Sequence, residues 1–167
     1  MLFRLSAKLN TYLKHSRLKD RPLQADPFAD WSAHLFLVKR EKLILVSNTH
    51  SLYSFVMYAH TLPNELRFYE RTMSYMRRFM ELDGLEHVYE ERIIPNTNMY
   101  HYAKALNRSV TGCMNELIHT AIYSVAERGM EPFEVGKVLN GVLLSTLKTE
   151  GSSYGCPNDA FRAMCQS

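Results

Sequence analysis

Apolar residues crowd into short runs over the first third of the chain and recur every three or four positions over most of the rest. Residues 1–5 form a short apolar stretch read as a strand, and Leu9, Tyr12 and Leu13 continue at helical spacing over about 7–15. A polar linker, 16–30, follows and is punctuated by Pro22 and Pro27. Residues 31–38 are apolar on both faces, as in a central strand, and a charged turn at 39–42 leads to a second apolar strand at 43–46. Asn48, Thr49 and His50 make another turn before a third run at 52–58, so the three strands predict an antiparallel meander.

From there the period lengthens. Leu66, Tyr69, Met73, Met76 and Met80 lie on one helical stripe that Asp83 and Gly84 close. Residues 88–94 suit a strand or an irregular connection, Pro95 breaks them, and 99–103 suit another strand. A long helix is predicted over 109–127, with Val110, Met114, Leu117, Ala121 and Val125 inward and Gly129 beyond its end. Pro132 opens a further helix running to about 148, and a loop at 151–157 precedes a last short helix over 158–165. Strands early and helices late predict an α+β fold: one domain, 1–167, with a mostly antiparallel sheet and helices packed on one face.

The 167 residues are 46% hydrophobic and 22% charged, the balance of an ordinary globular chain that needs no membrane. A net charge of +3 is mildly basic, but its distribution is uneven. Residues 1–19 hold no acid, whereas Arg4, Lys8, Lys14, Arg17 and Lys19 are cationic. Such a segment matches either a targeting peptide or a folded strand and helix with a basic face, and the helical spacing favours the folded reading. Cys113, Cys156 and Cys165 make no CxxC pair, which points to a reducing, cytoplasmic compartment rather than a disulfide scaffold.

The densest polar cluster is Asn107, Arg108, Ser109 and Asn115, at the start of the long helix. A helix start offers free N–H groups and partial positive charge, and Arg108 adds a bidentate donor for phosphate or carboxylate. The same residues also read as a plain helix cap, with Gly112 allowing close helix–sheet packing. His34 is the histidine best placed for chemistry, on a central strand, and Cys113 reads as a small buried hydrophobe. The seven histidines form no HxxxH pair, so neither metal nor cofactor is expected. Nucleotide-loop and hydrolase-elbow signatures are missing too. Arg67, Arg71 and Arg78 nearly align on one helix and, with Arg4 and Lys8, compose a nucleic-acid alternative. Glu70 and Glu81 beside them favour a salt-bridged solvated face.

Trp31 to Phe36, Arg40 and Lys42 before the strand ending in Asn48, and the run from Ala103 to Asn115 are similar to an uncharacterised family of small bacterial and archaeal proteins, a domain of unknown function. The tail around Tyr154 and Pro157 resembles it as well. The resemblance implies a compact α+β domain and lends no reaction. Without a catalytic constellation, the expected function is a non-enzymatic binding or regulatory module acting on a protein partner. Nucleic-acid binding is the alternative, and an enzyme using His34 or His101 near Arg108 is a further one. An exposed sheet edge would permit a homodimer.

Overall fold

A computed structural model describes residues 1–62, 64–148 and 151–166. Its five strands form one open sheet in the order β4-β3-β2-β1-β5, with β1 at Leu2–Leu5, β2 at Asp30–Val38, β3 at Glu41–Asn48, β4 at Ser54–Tyr58 and β5 at His101–Lys104. The predicted meander is present, since β3 pairs antiparallel with both β2 and β4. The first strand departs from the simple picture. It lies between β2 and β5 and runs parallel to both, so the sheet is mixed. A parallel neighbour requires a crossover, which helix α1 (Ala7–Leu13) and the linker after it provide.

Strand alternation divides the sheet into two apolar faces. Phe3, Trp31, Ala33, Ile44, Val46, Phe55 and Met57 join one core with α1, α2 (Glu65–Leu82) and α6 (Pro157–Cys165). On the opposite face Phe36, Val38, Leu43, Leu45 and Val56 join a second core with α4 (Arg108–Ala126) and α5 (Pro132–Asn140). The expectation of helices on a single face is therefore corrected: β2 and β3 carry apolar side chains on both sides, and each side needs a cover.

The methionine stripe of α2 is core, with Met73, Met76 and Met80 buried, while Leu66 is 49% exposed. Phe68, Thr72 and Phe79 complete that inner face. Helix α5 stops at Asn140 rather than near 148, and Leu144 then bridges to Gly155. Residues 88–94 are not a strand. A short helix, α3 (Glu86–Val88), passes into a wider turn over Tyr89–Ile93, burying Val88, Tyr89 and Ile93.

Each outer strand is met at one point of its free edge. Asn140 accepts from Ser54 N–H at 2.7 Å and donates to Ser54 C=O at 3.1 Å, so a side-chain amide stands in for a neighbouring strand. The close approach depends on Gly136, where a Cβ would sit 2.6 Å from the Phe79 ring and 3.0 Å from the Ser54 carbonyl. At the other edge Lys19 bridges to Ala103 in parallel, and Lys104 N–H donates to Lys19 C=O at 3.1 Å.

A buried ion pair ties the linker to the sheet. Arg4 on β1 and Asp30 on β2 are 1% and 0% exposed, and the guanidinium meets the carboxylate twice at 2.8 Å. Nη1 and Nη2 donate further to the carbonyls of Arg21 at 2.9 Å and Pro22 at 2.7 Å, and Gln24 N–H donates to Asp30 at 3.1 Å. Removing one member of a buried pair strands the other. Asp30→Asn is expected to cost about 3 kcal/mol or more in urea unfolding. Lys104→Ala, which breaks the exposed Lys104–Asp20 pair, should cost less than about 1 kcal/mol.

Candidate functional site

Helix α1 ends as Lys14 turns into the left-handed region at φ 55°, its N–H held by the carbonyls of Asn10 and Thr11. The chain leaves along the β5 edge. His15 pairs with the carboxylate of Glu65, the first residue of α2, and its ring meets Tyr102 edge-on at 5.0 Å. Asn64 caps α2 by accepting from Arg67 N–H at 3.0 Å, which sets Glu65 at this corner. Tyr102 donates its hydroxyl to the Glu65 carbonyl at 2.7 Å. Burial, then the nearby Tyr100 and Glu65, push the Tyr102 phenol far up, so it remains a donor. Tyr69 and Tyr100 stack at 4.0 Å with a 13° interplanar angle, and Tyr100 meets Tyr102 at 5.8 Å.

These aromatic rings wall a cleft of about 310 Å³ whose rim carries Arg17, Lys19, Arg21 and His101. A second cleft of about 440 Å³ continues past Arg17 and Lys19 to Asp20 and Lys104. The two acids here are engaged, Glu65 with His15 and Asp20 with Lys104 at 2.9 Å. Arg17, Lys19 and Arg21 are exposed, and among the described residues their side chains have no hydrogen-bonded or ionic partner. Their backbone is anything but loose: Lys19 is bonded to β5 and the Arg21 carbonyl to Arg4. The result is a row of free cations on a fixed segment beside stacked tyrosines, a surface suited to a chain of phosphates.

The cationic residues named from sequence behave differently. Arg4 is withdrawn from solvent into its pair with Asp30, so it cannot touch a ligand. Lys8 is exposed on α1. Arg67 pairs with Glu70 at 2.9 Å; Arg71 donates to the His60 carbonyl and the Thr61 hydroxyl; Arg78 lies 4.6 Å over the Phe133 ring. Arg77 and Glu81 pair at 2.9 Å, so this face is the salt-bridged one expected. The acid-free opening stretch was the signal that could have found the groove, because it already contained Arg17 and Lys19. The contribution of Tyr100, Tyr102 and Lys104 depended on β5 closing beside β1.

The polar residues of the cluster at 107–115 lie on the outer side of a helix start. Asn107 caps α4 by accepting from Val110 N–H at 3.0 Å. Arg108, Ser109 and Asn115 are exposed, and a Cβ on Gly112 would meet nothing within 4 Å, so no tight packing explains that glycine. His34 is not with them. It is 6% exposed on the sheet face that α4 covers, whereas Arg108 and Asn115 face solvent from α4. His101 lines the basic cleft, which includes neither His34 nor Arg108, so the acid–base grouping is not assembled there. Cys113 is buried with its sulfur 3.1 Å from the Thr146 hydroxyl.

With this geometry in view, the chain belongs to the family described as Domain of unknown function (DUF6933), whose model matches residues 2–160. The match spans the whole sheet and the helices from α1 to α5, and ends within the first half of α6. No curated protein matches the chain. No helix among the described residues is long and apolar enough to cross a membrane.

Burial lowers His34 from 6.5 to about 4, so its imidazole is neutral in the fold at pH 7. Between these values the unfolded chain binds a proton that the folded chain refuses. Stability due to this residue is therefore full above pH 6.5 and is lost as pH falls toward 4, by at most about 1.4 kcal/mol per pH unit. His34→Leu is expected to flatten the pH dependence of urea stability in that window; an unchanged slope would locate its source elsewhere.

Proposed function

We propose that the protein is a non-enzymatic binding module that takes single-stranded nucleic acid along the groove at the β5 edge. The observation that carries this reading is the row of unpartnered cations, Arg17, Lys19 and Arg21, held on pinned backbone beside Tyr100 and Tyr102. Free cations gain by releasing counterions from phosphates, and aromatic rings offer bases a surface to stack on. Lys104, paired with Asp20, lies at the far end of the groove. The three cysteines, none of them in a disulfide, support a reducing compartment such as the cytoplasm as the setting.

Fluorescence anisotropy of a labelled oligonucleotide tests it. Affinity should fall steeply between 50 and 200 mM salt, conditions of about the span over which phosphate contacts weaken. The triple variant Arg17→Ala, Lys19→Ala, Arg21→Ala should bind weakly and lower the log–log salt slope by about 2. Equal binding by this variant, or no binding at low salt, would overturn the reading.

A second surface favours a protein partner. Arg108, Asn115, His119 and Tyr123 follow one another along the outer face of α4, and Tyr123 is 61% exposed. Aromatic and arginine side chains dominate contact energies at interfaces. Arg108→Ala should leave the melting temperature unchanged while reducing capture of a cross-linked partner from cells; a variant that unfolds would make Arg108 structural instead.

A further inference from the structure

Three helix ends meet on the side of the molecule where α5 covers β4. Asp83 closes α2, Lys137, Asn140 and Gly141 end α5, and Cys156 and Asn158 at the start of α6 are joined by Arg162 from its last turn, together lining a cleft of about 270 Å³. This concavity is separate from the nucleic-acid groove and shares no lining residue with it.

Its polar groups are positioned by contacts on their outer sides. Arg162 donates through Nε to Asn158 Oδ1 at 3.2 Å and through Nη2 to the Asp83 carbonyl at 2.7 Å, leaving Nη1 without a partner among the described residues. Lys137 has none for its ammonium there either. Asp83 Oδ2 is taken by the Tyr53 hydroxyl at 2.6 Å, which anchors the carboxylate while Oδ1 has no hydrogen bond. Tyr53 itself is fixed by stacking on Phe161 at 4.4 Å, and Asn140 by its two bonds to Ser54. At the mouth, the first-turn N–H groups of Asn158 and Asp159 lie against the Cys156 sulfur, a weak acceptor.

Two cations and one oriented carboxylate in one small cleft match a ligand with an anionic end and a hydroxylated end. We propose that this cleft binds a small phosphorylated polyol or monosaccharide, with Lys137 and Arg162 on the phosphate and Asp83 accepting from a hydroxyl. The volume suits a ligand of that size. Charge-assisted bonds from two donors hold a phosphate, and a carboxylate that only accepts selects hydroxyl over a second phosphate. Glu131 and Glu134 line a separate apolar cleft on the far side of Lys137 and none of this one.

Glycerol 3-phosphate is the probe, titrated into the full chain at constant ionic strength and read by thermal shift and by calorimetry. It should raise the melting temperature beyond the effect of equal concentrations of glycerol or sodium chloride, with inorganic phosphate intermediate. Lys137→Ala, which removes an exposed side chain without a partner, should weaken binding by about tenfold, and Arg162→Lys should weaken it while retaining the fold. The Arg17, Lys19, Arg21 triple variant should bind the probe as the parent does, so failure of the groove reading leaves this one standing. An equal shift with sodium chloride, or unchanged affinity in folded Lys137→Ala, overturns the proposal.

Discussion

The ion pair between Arg4 and Asp30 is the constraint on which the rest of this molecule depends. Two charges held at 1% and 0% exposure are tolerable because they meet each other twice and both are further hydrogen-bonded. Three of those bonds run to backbone of the linker, at Arg21, Pro22 and Gln24. A segment rich in proline and charge, with little apolar surface of its own, thereby becomes a fixed part of the fold. The free cations at 17, 19 and 21 inherit their positions from it.

The same pair joins β1 to β2, the central strand of the sheet. Arg4 and Asp30 sit on neighbouring parallel strands, two residues apart in register, and point to the same face. That face is polar toward this end, where Ser32 bonds to Thr49 and Ser47 to Ser54, and apolar toward the other, where α4 and α5 cover Phe36, Val38 and Leu45. The opposite face is closed by α1, α2 and α6 around Trp31, Phe55 and Phe79. Burying polar groups beneath a helical layer requires each to find a partner, which Asn140 does for the edge strand.

Site legibility divided along the same lines. The helix cap at Asn107, the core role of Met73, Met76 and Met80, and the pairing of Arg77 with Glu81 are local and were legible from spacing of three or four residues. The identity of the useful cations was not. Arg4 and Arg17 are alike in a composition plot, yet one faces a buried carboxylate twenty-six residues away and the other faces solvent. Likewise Lys137 and Arg162 come to line one cleft only where α5 and α6 pack together.

By itself the sequence determined what depends on near neighbours: the meander, the existence of the long helices, the α+β class and the family. These follow from periodicity and turn chemistry, which act over a few residues. Only the tertiary structure decided that β1 inserts between β2 and β5, that helices cover both sheet faces, and which charges stay free. Those outcomes rest on contacts between distant segments, where a shared face, a buried partner or a covered edge selects among patterns that are equivalent along the chain.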